Sequence, residues 1–250
     1  QYIEGAGIAP RVYHMDTEHF IYPFLIEDFV EGMPLGQQFD EESIRSAARS
    51  IGRLHNVPPP KHIHLVSRGY EDRWPKLAAR FKEAMRSVLL EDYGKLVEDM
   101  LPRIEKFFQL AAKRLRMVPQ ALLHGDLYAG NIMIHASDHR AVLIDFEYPA
   151  LGDPTFDFGN MFVGVAERTS YPRYKDIFLA AYQEETGARP ELSELFDMRM
   201  VERDITSLVS ELRDAATLPQ DPIVIEGYFK EKRFAWRIDL LKSELAGQSL

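Results

Sequence analysis

The chain has 250 residues, 46% hydrophobic and 28% charged, and its 30 Lys and Arg against 39 Asp and Glu leave a formal net charge of -9. That is enough for a sizeable core, in one large domain or two small ones. An acidic balance without clustered Lys and Arg argues against a nucleic-acid partner, whose phosphates must be neutralised, and no apolar run reaches the roughly 18 residues of a membrane span. The absence of cysteine removes disulfide and thiolate chemistry and suits a reducing, cytoplasmic setting. The start, QYIEGAGIAP, has neither the basic nor the apolar region of a signal peptide; lacking an initiator Met, it points to a fragment.

In chain order, residues 11–15 and 20–30 are apolar, β-branched and aromatic around DTEH and read as a two-stranded hairpin. Gly32 and Pro34 break the second strand. Asp40 is placed as the N-cap of a helix over residues 43–55, with Ile44, Ala47, Ala48, Ile51 and Leu54 on one face, and VPPP stops it. Helical stretches follow at 72–90 and 93–117, the second interrupted or restarted at Pro102. Short strands are expected at 121–123, 132–135 and 142–144, then helices at 156–167, 173–186, 191–216 and 222–246.

The chemistry sits between Leu123 and Phe158. Asp126 and Asn131 are five apart, and Asp145 follows a short apolar run. This is the order and spacing of a phosphoryl-transfer site, which needs an acceptor for a hydroxyl proton and hard oxygen ligands for magnesium.

The pair HGDLYAGNIMI and LIDFEYPALGDPTFDFGN resembles the aminoglycoside phosphotransferase and choline kinase superfamily. FLIEDFVEGMPL resembles its hinge between lobes and IGRLHNVPPP the end of a following helix. The resemblance implies an α+β, protein kinase-like fold, with residues 1–30 a remnant of the N-lobe and hinge and 31–250 a mostly helical C-lobe carrying the catalytic loop and a helical substrate subdomain. It implies an ATP-dependent phosphotransferase acting on a hydroxyl of a small molecule of aminoglycoside, choline/ethanolamine or sugar type. Asp126 would then be the base or hydroxyl-orienting group, with Asn131 and Asp145 holding Mg2+ and His124 and Asp157 supporting the loop. Adenine would lie against backbone groups of Glu27, Asp28 and Phe29, with Ile26 behind; Ile134 and Ile144 either floor that pocket or are plain core.

Other signals divide. Glu147 and Tyr148, in an FEY triplet resembling choline and ethanolamine kinases, would hold an ammonium by charge and cation–π contact, whereas GDP at Gly152 to Pro154 resembles the aminoglycoside branch. The acidic charge suits a cationic substrate, though ordinary solubility explains it as well. Glu202, Asp204, Glu211 and Asp214 either line a cationic pocket or form a solvated helix face, and Trp236 reads as core. His55 is explained by capping or packing, Asp153 by a turn, and the basic amphipathic stretch from Phe107 by a buried helix edge. His62 and His64 lack a third ligand for zinc. GAG at Gly5 to Gly7 is the sole Gly cluster and resembles the segment after the N-lobe helix, so the phosphate loop, its Lys and the Glu that holds the Lys are expected to be missing. That departure leaves open an inactive nucleotide-binding or scaffold module. A protein kinase fits less well, because GDPTFDF leaves little room for an activation loop.

Overall fold

The computed structural model describes residues 3–61, 66–67, 73–162 and 171–247. His62, His64 and the end of the helix expected over 156–167 lie outside these residues. In chain order the elements are β1 (Val12–Asp16), β2 (Phe24–Glu27), β3 (Gly32–Pro34), α1 (Glu41–Asn56), β4 (Val66–Ser67), α2 (Arg73–Ala84), α3 (Glu91–Glu98), α4 (Leu101–Leu115), β5 (Ala121–Leu123), β6 (Ile132–His135), β7 (Ala141–Leu143), β8 (Ala150–Gly152), α5 (Thr155–Phe162), α6 (Tyr171–Thr186), α7 (Glu191–Ala215), α8 (Pro222–Glu231) and α9 (Phe234–Gly247). Two compact units result, one of Gln1–Arg68 and Pro119–Phe196, the other of Gly69–Val118 and Asp197–Leu250.

Among the described residues the first unit holds three small sheets. β1 and β2 pair antiparallel, as the hairpin pattern implied, with a bulge between Val12 and His14. β3, β6 and β7 form an antiparallel sheet in that order, and β8 lies between β4 and β5. β3 corrects the reading of Gly32 and Pro34 as breakers. A Cβ on Gly32 would stand 2.1 Å from the Ile134 carbonyl oxygen, so the missing side chain is what lets this strand approach β6. Pro34 sits at the end of an edge strand, where its missing N–H costs no ladder bond.

α1 forms where its pattern places it. Asp40 caps it by accepting from the Ser43 amide at 2.8 Å, and Ile44, Ala47, Ala48, Ile51 and Leu54 are all buried. The helix packs on α6, β5 and β7. Two serines on it fasten β7: Ser50 Oγ donates to the Ala141 carbonyl at 2.7 Å, and the Ala141 amide donates to Ser46 Oγ at 2.8 Å. α5 is buried along its whole length. Its Phe158 lies edge-on to Phe178, Tyr182 and Phe196 at 4.8–5.3 Å, an aromatic cluster that fixes α5 against its neighbours.

In the second unit the expected stretch at 72–90 ends at Ala84, followed by a short 3-10 turn at Val88–Leu90, and the next stretch divides into α3 and α4 with Pro102 in the first turn of α4. α4 buries Ile104, Phe107, Phe108, Ala111 and Leu115, the helix-edge reading of its amphipathic pattern. The helix expected over 222–246 breaks at Arg233, whose φ is 52°. Tyr93 stacks on Phe229 at 4.0 Å. Trp236 is 52% exposed, which corrects its assignment to the core. Glu202 is not on a solvated face either: it is buried and paired with Arg199 at 2.5 Å and with Arg73. Glu211 pairs with Arg237. No helix among the described residues is long and apolar enough to cross a membrane.

Candidate active site

β5 delivers the chain to His124, and Gly125 follows at φ 84°, a left-handed conformation that costs glycine little. The turn this permits sets Asp126 off the strand. Its carbonyl accepts from the Tyr128 amide at 3.1 Å and from Asn131 Nδ2 at 2.9 Å. The short 3-10 turn at Ala129–Asn131 then leads into β6. Because only the nitrogen of an amide can donate to a carbonyl, the bond to Asp126 fixes the rotamer of Asn131. Its Oδ1 keeps its lone pairs without a partner among the described residues, as does the half-buried Asp126 carboxylate.

Asp157, in the first turn of α5, holds this loop from behind. It is fully buried and accepts from the His124 amide at 2.9 Å, the Gly125 amide at 3.1 Å and His55 Nε2 at 3.1 Å. An ionised carboxylate without water is tolerable only when donors replace its hydration, and three N–H groups do so here. The other His55 ring nitrogen lies 2.9 Å from the Tyr182 hydroxyl. Burial pushes the Tyr182 phenol far above its ordinary range, so it stays protonated.

Asp145 follows β7 at φ 67°. The left-handed region suits Asp and Asn better than other side chains, and it turns the chain sharply off the strand. The preceding residue is gripped on both sides: the Ile144 amide donates to the Asn131 carbonyl at 3.0 Å, and the Ile144 carbonyl accepts from His124 Nε2 at 2.8 Å. His124 is fully buried, with its ring 4.3 Å from that of Phe146. This is the geometry of a brace.

One hydrogen-bond web therefore unites His124, Asp126, Asn131, Ile144 and Asp157 and leads directly into Asp145. Glu27 lies within electrostatic reach of Asp145. Its carboxyl is raised above the ordinary range by partial loss of hydration first, then by the charges of Asp145 and Asp28. The other hinge residues are less uniform. The Asp28 amide is committed to the Arg11 carbonyl at 2.9 Å and its carboxylate accepts from the Tyr13 hydroxyl at 2.5 Å. Ile26 is half-exposed and Phe29 91% exposed. Ile134 is a core residue at 1% exposure, while Ile144 is half-buried. Glu147 and Tyr148 stand exposed without a partner among the described residues. Asp153 bonds the Thr155 hydroxyl beside the start of α5, the turn role expected of it.

Magnesium takes hard oxygen donors, keeps several waters and binds through one or two protein groups plus phosphates rather than in an all-protein cage. The donor set fits. Asn131 Oδ1 and the exposed Asp145 carboxylate are oxygens without a partner among the described residues. Among the described residues no group of three His, Cys, Asp or Glu forms a self-sufficient metal cage.

The α+β fold thus ties its loop, amide and aspartate together through the two backbone groups of Ile144. The chain belongs to the APH phosphotransferase enzyme family, whose model matches residues 1–195. No curated protein sequence matches the chain. Among solved structures it is similar to a choline/ethanolamine kinase family protein from Mesorhizobium loti, at 18% identity and a TM-score of 0.63, covering 98% of this chain and 80% of that one. The spectinomycin phosphotransferase APH(9)-Ia in complex with ADP and spectinomycin gives 15% identity and a TM-score of 0.63, with 96% and 80% covered. An ethanolamine kinase of Plasmodium vivax gives 14% and 0.61, with 97% and 72% covered. At such identities the likeness is one of fold.

Tyr182 is a neighbour of the site that the sequence did not disclose. It lies 127 residues from His55, and no local pattern marks it.

Proposed function

We propose that the chain is a small-molecule kinase that moves the γ-phosphoryl group of ATP to a hydroxyl of a small acceptor. The observation that carries this reading is the unpaired oxygen set of Asp126, Asn131 and Asp145, held by one web of bonds. The Asp126 carboxylate orients the acceptor hydroxyl and takes its proton as the oxygen attacks the γ-phosphorus and ADP departs. Asn131 Oδ1 and Asp145 hold magnesium, which when bound neutralises charge on the phosphates. Glu27 and Phe29 offer backbone groups to the base, with Ile26 and Ile144 beside it. Asp157 and His124 keep the loop in place and take no part in the transfer. Glu147 and Tyr148 are exposed acidic and aromatic groups suited to an acceptor that carries an ammonium. Residues 31–250 would serve as the catalytic lobe and 1–30 as the hinge piece.

Calorimetric titration with Mg-ATP tests the metal site, with Asp145→Asn as the control. Asn is well suited to φ near 67°, so the change removes charge without straining the backbone. Binding that weakens about tenfold or more in the control, a loss of about 1.4 kcal/mol, supports the reading. Equal binding by both proteins sinks it. A screen of hydroxyl compounds by ADP release then separates a kinase from a module that only binds nucleotide.

A further inference from the structure

We propose that Tyr182 is a positioning residue for the phosphotransfer: its hydroxyl fixes the His55 ring, through it the Asp157 carboxylate, and so the backbone from which Asp126 departs. This rests on the reading of Asp126 as the catalytic carboxylate. The chain of contacts runs from α6 to α1 to α5 and then to the loop, at 2.9 Å from Tyr182 to His55, 3.1 Å from His55 to Asp157, and 2.9 and 3.1 Å from Asp157 to the His124 and Gly125 amides. Each side chain in it is buried.

The direction of the bonds follows from their chemistry. A carboxylate only accepts, so His55 Nε2 carries a proton toward Asp157. A neutral imidazole then offers a lone pair at Nδ1, and the Tyr182 O–H is the group placed to fill it. The carboxylate therefore sets the His55 tautomer, and the hydroxyl, by filling the Nδ1 lone pair, fixes the ring plane in which Nε2 meets it. The ring itself is held by Phe158 at 4.8 Å and Phe178 at 6.1 Å, contacts that a phenylalanine would also make. Without the hydroxyl, Nδ1 loses its partner and nothing holds the ring in the plane that points Nε2 at the carboxylate. Asp157 would then lose one of its three donors and loosen its hold on the His124 and Gly125 amides.

The test compares the full chain with Tyr182→Phe by amide exchange and ring-nitrogen NMR. In the wild type, His55 is expected to be protonated at Nε2 with Nδ1 accepting; a ring protonated at Nδ1 alone overturns the proposal with no variant needed. In Tyr182→Phe, exchange at the His124 and Gly125 amides is expected to quicken about tenfold, the scale of one lost hydrogen bond, while amides of α1 and α6 keep their rates. Unchanged exchange at His124 and Gly125 overturns the proposal. Equal quickening throughout α1 and α6 also overturns it, because the hydroxyl would then serve the fold at large. Hydrolysis of Mg-ATP to water gives the functional readout: kcat falls and KM for Mg-ATP holds. Should the wild type release no ADP from Mg-ATP with water or with any screened hydroxyl compound, the phosphotransfer reading fails, and exchange still decides whether Tyr182 holds the loop.

Discussion

Glu27 ends β2 with a carboxyl raised above its ordinary value of 4.5 by lost hydration and by the charges of Asp145 and Asp28. A proton bound more tightly in the folded chain favours folding at low pH. That contribution is fully present below 4.5 and is lost as pH rises through the raised value. Glu27→Gln removes this slope, and melting curves taken across that window should show a flatter profile than the wild type. Gly130 is crowded by the ring of Tyr128. A Cβ there would come 2.4 Å from Cε2 of Tyr128, a ring 49% exposed in the loop that carries Asp126. Because that half-exposed ring can swing aside, Gly130→Ala is expected to cost under about 1 kcal/mol, and less still when Tyr128 is already Ala; denaturant unfolding of the four proteins measures that coupling. The spacing of Asp126, Asn131 and Asp145 was readable because it is local. The Ile144 carbonyl and the Tyr182 hydroxyl were not, since every residue carries the same backbone groups and the His55–Tyr182 contact closes only in the folded chain.

Elements differ in how firmly they are held. α1 has a cap, a buried face and two serines tied to β7, whereas β1 and β2 pair with no other strand among the described residues and are mostly exposed. A two-stranded hairpin alone is marginally stable in water. Its amides should therefore exchange at least about a hundredfold faster than those in the middle of α1, and native-state hydrogen exchange resolves the two directly. α1 was legible because its period of apolar residues and its Asp40 cap agree. β3 was missed because Gly32 and Pro34 usually interrupt a strand; the need for close approach to Ile134 is visible only once β6 lies beside it. The α8–α9 break fell at Lys232 and Arg233, two residues with no turn-forming character, so sequence gave no warning of the positive φ.

At the scale of the molecule, the fold survives at 14–18% identity to the solved structures compared above, so most side chains here differ from theirs. What is readable in the sequence is the short polar constellation, while the helices that follow it carry only periodicity. Binding to the folded state raises its stability by about 2.7 kcal/mol at a ligand concentration a hundred times Kd. Mg-ATP should thus raise the melting midpoint of the wild type, and the rise should shrink with a chelator and in Asp145→Asn. The grip on Ile144 has a mechanical consequence as well. With the Ile144 N–H tied to Asn131 and its C=O to His124, the backbone entering Asp145 is anchored to the loop, while the exposed carboxylate keeps its own rotamers. An opening of the site that shifts this backbone therefore carries the loop with it.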